Sequence, residues 1–222
     1  KIYINNEQTF EINNINSHIV EVTISINEII LDQIILNGET YAHISIPGSY
    51  PSSKIGYPNL PMLNKLIEVP RESEIRVEII EDNIREYKGA DYNLNSLISP
   101  SQHSISKSQT NQNFSINNDI YITNDYYKNE LVTVNDKGLI REVKIANLMI
   151  SPIEYNPITN QLIIHDNIKF RIHFDNANLE LTNTEKNKAY SSYFEPIFNT
   201  AIDNYSPIQN TRQNNFIEDI VS

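Results

Sequence analysis

The chain has 222 residues and a net charge of −11, with no cysteine, no tryptophan, five glycines and ten prolines. That length holds one large β domain or two small ones, with room for a real core. The absence of cysteine excludes a disulfide scaffold, a thiolate metal site and a cysteine nucleophile within the chain. The acidic balance makes nucleic acid and anionic lipid poor partners, because phosphates are repelled rather than neutralised. No apolar run approaches the ~18 residues of a membrane helix, so no membrane insertion is expected. No apolar h-region follows Lys1, so no secretory signal is visible.

The dominant period is two. Val20, Val22, Ile24 and Ile26 alternate with Glu21, Thr23 and Ser25, which predicts a strand with one wet face. Ala42, Ile44 and Ile46 alternate with Tyr41, His43 and Ser45. Ile75, Val77 and Ile79 alternate with Arg76, Glu78 and Ile80. Residues 99–119 are rich in Ser, Gln and Asn and read as a long exposed loop, a feature that in compact domains is functional or disordered. Val143, Ile145, Asn147 and Met149 form one face of a further strand, and Ala146, Leu148 and Ile150 the other. Both faces are mostly apolar, which predicts a central position.

Tyr155 to Asn160 is turn chemistry, followed by a short strand at Leu162 to Ile164. Asp166-Asn167 predicts a tight turn before the alternating strand Ile168, Phe170, Ile172 and Phe174. One late helix is expected: Phe194, Ile197, Phe198, Ala201 and Ile202 are spaced i, i+3, i+4, i+7, i+8. Ser192 with Glu195 resembles a capping box, while Pro196 favours a start at that residue. The fold class is therefore mostly β, an antiparallel sandwich or barrel-like domain over 1–205 with one short C-terminal helix. Residues 206–222 form a polar tail or linker.

Chemistry-bearing motifs are few. The glycines form no phosphate loop, and no Gly-x-Ser-x-Gly or His-Glu-x-x-His is present. The five histidines form no metal-ligand cluster; His43 and His173 lie on polar strand faces and read as solvated imidazoles. Asn117-Asn118-Asp119 and Asn124-Asp125 offer calcium-type oxygens without EF-hand spacing. No cofactor, metal or catalytic residue is assigned. Thirteen tyrosines leave open a non-catalytic bacterial surface module that binds a glycan or a protein through an aromatic platform.

One ordered set of motifs is distinctive. Gly38 to Gly48 precedes Gly56-Tyr57-Pro58-Asn59-Leu60-Pro61, then Lys65-Leu66-Ile67-Glu68-Val69-Pro70. Later come Gly138 to Val143, Ile150 to Pro157, the hairpin through Phe174, and Ser192-Tyr193-Phe194-Glu195 opening a helix. This set, from about Gly38 to Tyr205, resembles the N-terminal prodomain of the gingipain-type cysteine peptidases, family C25, and is most similar to the Lys-specific branch. The resemblance implies a secreted or cell-surface bacterial propeptide that is not an enzyme. It implies a domain that assists folding of a cognate, Lys-specific peptidase and holds it latent. The implied inhibitory element is Ile105-Ser106-Lys107-Ser108, with Lys107 entering the specificity pocket.

Lys107 is the only lysine or arginine between Lys88 and Lys128. Its aliphatic stem suits packing along pocket walls, and its ammonium suits a buried carboxylate. The bland alternative is a solvated loop lysine, and Lys54, in a turn between Pro51 and Pro58, is a competitor. Candidate processing sites are Arg212 in the tail and Lys186 and Lys188 in an Asn/Lys linker. Exposed strand edges would allow two copies to pair as a homodimer.

Overall fold

The computed structural model describes residues 1–4, 7–92, 94–103 and 114–208. In chain order the strands begin with β1 (Ile2–Tyr3), β2 (Thr9–Asn16), β3 (Ile19–Ser25), β4 (Glu28–Leu36), β5 (Glu39–Ser45), β6 (Tyr50–Pro51), β7 (Pro61–Glu68) and β8 (Glu74–Lys88). The chain continues with the helical turn α1 (Asn118–Tyr121), then β9 (Val132–Ile140), β10 (Val143–Ile150), β11 (Ile153–Asn156) and β12 (Gln161–Asp175). Two helices follow, α2 (Leu179–Lys188) and α3 (Glu195–Ala201).

Three antiparallel sheets result: β1-β4-β5, β6-β7-β10-β9, and a third in which β11, β12, β3 and β2 are joined by β8 on the other edge of β12. They do not close into a barrel among the described residues. Alternation decides what goes inside. Val20, Val22 and Ile24 of β3 meet Ile168, Phe170 and Ile172 of β12 and Leu148 and Ile150 of β10 in one contiguous core. The opposite face carries charge, with Glu21 paired to Lys169 and Arg171.

β10 is central, as its two apolar faces predict: β7 and β9 flank it. Ala146, Leu148 and Ile150 enter the main core, while Val143 and Ile145 face Phe198, Ile202 and Tyr205 in a second cluster. That second cluster is how the C-terminal segment is attached to the sheets.

Four local expectations are corrected. Asp166-Asn167 is not a turn: β12 runs unbroken through it, with a bulge between His165 and Asn167 where it leaves β11 and takes up β3. Asp166 is wholly buried there and pairs with Arg85 of β8. Ile79 stays 43% exposed beside a register shift between β8 and β12.

The remaining two concern helices. Residues 179–188 are helix rather than linker. Asn178 caps α2 through its side chain, which accepts from the Leu181 N–H at 3.0 Å. The buried residues of α2 are Thr182 and Lys186, an i, i+4 pair that is polar and therefore invisible to an apolar-stripe search. In α3 the Ser192–Glu195 box does not form; Phe194 is the N-cap without a side-chain bond, and Pro196 lies in the first turn.

Candidate functional site

The Gly56–Pro61 motif has a clear physical role: it is a socket for both ends of the polar loop. The outgoing stem is laid along it by backbone hydrogen bonds. Asn59 donates to the Ser99 carbonyl, Ser101 donates to Tyr57, and Gly56 donates to Ser101, each at 2.8 Å. The returning stem docks on the same residue, with the Asn117 N–H donating to the Gly56 carbonyl at 2.8 Å. The backbone comes so close that a Cβ on Gly56 would lie 3.1 Å from the Asn117 nitrogen, and the residue sits at φ +82°. Glycine is therefore required there on two counts.

Beneath the socket the Ser52 and Ser101 hydroxyls, both buried, lie 3.0 Å apart, and Ser101 donates to the Ser52 carbonyl at 2.9 Å. Above it, the two stems are joined side to side by one residue. The Gln102 amide nitrogen donates to the carbonyls of Pro100 (3.1 Å), Ser101 (3.2 Å) and Ser115 (2.7 Å). Its oxygen accepts from the Ser115 N–H at 3.0 Å. Phe114 then packs against Tyr41, ring centroids 6.0 Å apart.

The loop is consequently narrower than 99–119. Ser99, Pro100 and Ser101 are buried, and α1 occupies 118–121. What remains of it is the segment between Gln102 and Ser115. Ile105, Ser106, Lys107 and Ser108 fall within it and lie outside the described residues, as does Arg212. Lys54, the competitor, stands beside the socket with its ammonium 3.7 Å from the centroid of the Tyr57 ring.

A second polar cluster lies at the other end of β7. Lys186 is buried and its ammonium reaches Glu68 at 2.5 Å and the Ser206 carbonyl at 2.8 Å. Glu68 accepts in turn from the Ser206 N–H at 3.0 Å. The Asn204 side chain donates to the Glu68 carbonyl at 3.0 Å and accepts from the Glu68 N–H at 2.6 Å. Lys186 is thus a structural clamp for the chain's exit, and it is closed to a peptidase while the fold persists. Lys188 ends α2 and is exposed, paired with Glu185 at 2.6 Å.

His173 is not the solvated imidazole expected of its polar face: its Nε2 lies 2.7 Å from a Glu78 oxygen and its side chain is 14% exposed. His165 is buried between Asp82 (2.8 Å) and Glu154 (3.3 Å). Among the described residues no three His, Asp or Glu side chains converge as a metal site. The tyrosines are dispersed in pairs, such as Tyr57 with Tyr127 at 5.5 Å and Tyr87 with Tyr92 at 5.6 Å.

Known proteins resemble this chain in sequence and in fold. The chain is 32% identical over 180 residues to Lys-gingipain HG66 of Porphyromonas gingivalis, covering 80% of the chain and 10% of that protein. Gingipain R1 of the same species is 26% identical over 156 residues, 70% of the chain and 15% of that protein. The chain therefore spans about a tenth of the length of the Lys-gingipains it matches. A structure on the zymogenic latency of gingipain K from P. gingivalis superposes with a TM-score of 0.74 at 30% identity, covering 79% of this chain and 98% of that one. A complex of the P. gingivalis RgpB pro- and mature domains superposes at 0.70 with 19% identity, over 89% and 98%, and shares the fold. The family model Propeptide_C25 matches residues 11–209, nearly the whole described chain, and the protein belongs to that propeptide family.

Proposed function

We propose that this chain confers latency on a gingipain-like cysteine peptidase, inhibiting it and assisting its folding, with Lys107 occupying the specificity pocket. The observation that supports the reading is the socket: the chain on either side of the Lys107-bearing segment, at Ser99–Ser101 and Asn117, is hydrogen-bonded to the Gly56–Asn59 backbone. Membership of a propeptide family supports a non-catalytic role. Higher identity to Lys-gingipain than to gingipain R1 supports a Lys-specific partner. Delivery to the bacterial surface or exterior together with the peptidase accompanies this reading.

The body runs through about residue 205, where Tyr205 packs on Phe198, and 206–222 serves as the linker. Of the basic residues considered for processing, Arg212 suits that linker. Lys186 would require unfolding of α2.

The test is a titration of the chain and of Lys107→Ala against Lys-specific and Arg-specific gingipain-type peptidases with small fluorogenic substrates. The parent inhibits the Lys-specific enzyme. Lys107→Ala loses about a hundredfold in affinity, the cost of leaving the pocket carboxylate unpaired. Equal inhibition by Lys107→Ala overturns the plug. Inhibition of neither enzyme by folded parent favours the surface-module reading.

A further inference from the structure

A peptidase needs accessible, unpaired backbone on each side of the bond it cuts, so exposed loops are nicked and paired strands are not. Apart from Lys107, every lysine of the chain lies in described residues, and the fold sorts them. Lys65, Lys88, Lys137, Lys144 and Lys169 lie in strands, and Lys186 and Lys188 in α2. A cut after Lys1 removes one residue. Lys54 and Lys128 remain.

These two differ in how they are held. Tyr127, beside Lys128, exchanges both backbone hydrogen bonds with Tyr155, at 2.9 and 3.0 Å, and the Lys128 ammonium pairs with Glu154 at 3.2 Å. Lys54 has neither restraint. Ser53 and Lys54 are exposed and Ile55 is half-buried. Among the described residues, the one backbone hydrogen bond made between Ser52 and Gly56 is accepted by the Lys54 carbonyl from the Tyr57 N–H, at 3.2 Å. The Lys54 ammonium meets the Tyr57 ring rather than a carboxylate among the described residues.

We propose that Lys54–Ile55 is a clearance site: a Lys-specific peptidase already free of inhibition hydrolyses this bond and so takes the socket apart. The proposal rests on the Lys-specific partner given above. Water adds across the amide, leaving a carboxylate on Lys54 and an ammonium on Ile55. The position of the bond gives the cut its effect. On one side, the Ser52 N–H donates to the Leu60 carbonyl at 3.1 Å and to the Asn59 side-chain oxygen at 3.0 Å. On the other, Gly56 carries the bonds to Ser101 and Asn117. An ammonium one residue before Gly56 draws that residue toward water, and the link that held its turn from the N-terminal side is gone. Ser101 and Asn117 then lose their platform. Each freed peptidase disables further copies of the propeptide, so release sustains itself.

The experiment uses the full chain carrying Lys107→Ala, with and without Lys54→Gln, so that cutting of the body is read without the plug. Each is digested with a Lys-specific gingipain-type peptidase and, separately, with a lysine-specific serine endopeptidase. Fragments are identified by mass spectrometry. Both enzymes cut first after Lys54, giving 1–54 and 55–222, and Lys54→Gln prolongs survival about tenfold. In the nicked chain, amide hydrogen exchange at Ser101 and Asn117 quickens by about tenfold or more, while the paired backbone of β3 and β12 stays protected.

A first cut after Lys128, or an unchanged lifetime with Lys54→Gln, overturns the proposal. So do Ser101 and Asn117 amides that stay protected in the nicked chain. Cutting by the serine endopeptidase alone, with the parent chain inhibiting the gingipain-type enzyme, overturns the clearance role and leaves latency standing. A parent that inhibits nothing, with Lys54 cut first by both enzymes, overturns latency and leaves the cleavage site standing.

Discussion

Gly56 carries a constraint at the scale of one residue: positive φ and no room for a Cβ. Gly56→Ala is expected to cost about 1–3 kcal/mol, through backbone strain and displacement of Asn117. Equilibrium unfolding in urea reads that loss. The same position shows what a sequence reveals at this scale. Gly56 and Pro58 stand out as part of a motif, yet their purpose appears only when residues 99–101 and 117 are seen resting on them. Gln102 carried no signal, because one glutamine in a Ser/Gln/Asn-rich stretch looks like its neighbours. Lys186 misled for the opposite reason. A lysine among asparagines suggests solvent, and only the fold brings Glu68, 118 residues away in sequence, to meet it.

At the scale of elements, alternation made most strands legible, because a sheet with one buried face must repeat every two residues. β3, β5, β10 and the second half of β12 follow that rule, and β10's double-faced pattern correctly marks a central strand. Pairing partners did not follow from it. The bulge in β12 looked like an Asp-Asn turn because local chemistry cannot show that β11 ends there and β3 begins. α2 was hidden because it attaches through polarity: Asn178 at its cap, Thr182 on the Arg71 N–H at 2.8 Å, and Lys186 on Glu68.

That attachment is expected to be costly to break. Lys186→Ala leaves the Glu68 carboxylate buried without its cation and should destabilise by about 3–5 kcal/mol. Lys188→Ala, on the exposed side of the same helix, should change stability by no more than ~0.5 kcal/mol. Denaturant unfolding of the two variants side by side separates a clamp from a surface charge.

At the scale of the whole molecule, three buried tyrosines tie separate regions to one pH response. Burial pushes the Tyr155 hydroxyl up to about 12 from its ordinary 10.0, and raises Tyr121 and Tyr205 as well. Tyr121 donates to the Ile98 carbonyl at 2.8 Å, Tyr155 donates to Asn160 at 2.9 Å, and Tyr205 donates to Glu195 at 3.0 Å. An unfolded chain loses these protons near 10.0, while the folded one keeps them, so above that pH the folded state binds more protons. Stability is therefore full below pH 10 and falls as pH rises from there toward 12. Urea midpoints measured at intervals across that range, with tyrosinate absorbance followed in parallel, check the direction. A midpoint that stays level through the window contradicts it.

β7 joins two features that are remote in sequence. The loop socket ends at Leu60, immediately before the strand, and the exit clamp sits on Glu68 at its far end. At about 3.3 Å per residue, the eight steps from Leu60 to Glu68 hold the two points roughly 26 Å apart. On the proposed function, a peptidase joined beyond Ser206 and gripped by the loop would be held at two points of a rigid ruler. While the linker is intact, the second contact is intramolecular and is governed by effective concentration rather than by affinity alone. A single cut beyond Ser206 removes that advantage and changes nothing in either contact. On the proposed function, activation then becomes a matter of dilution: the same inhibitor, with the same loop, holds its enzyme in a crowded compartment and loses it in open medium.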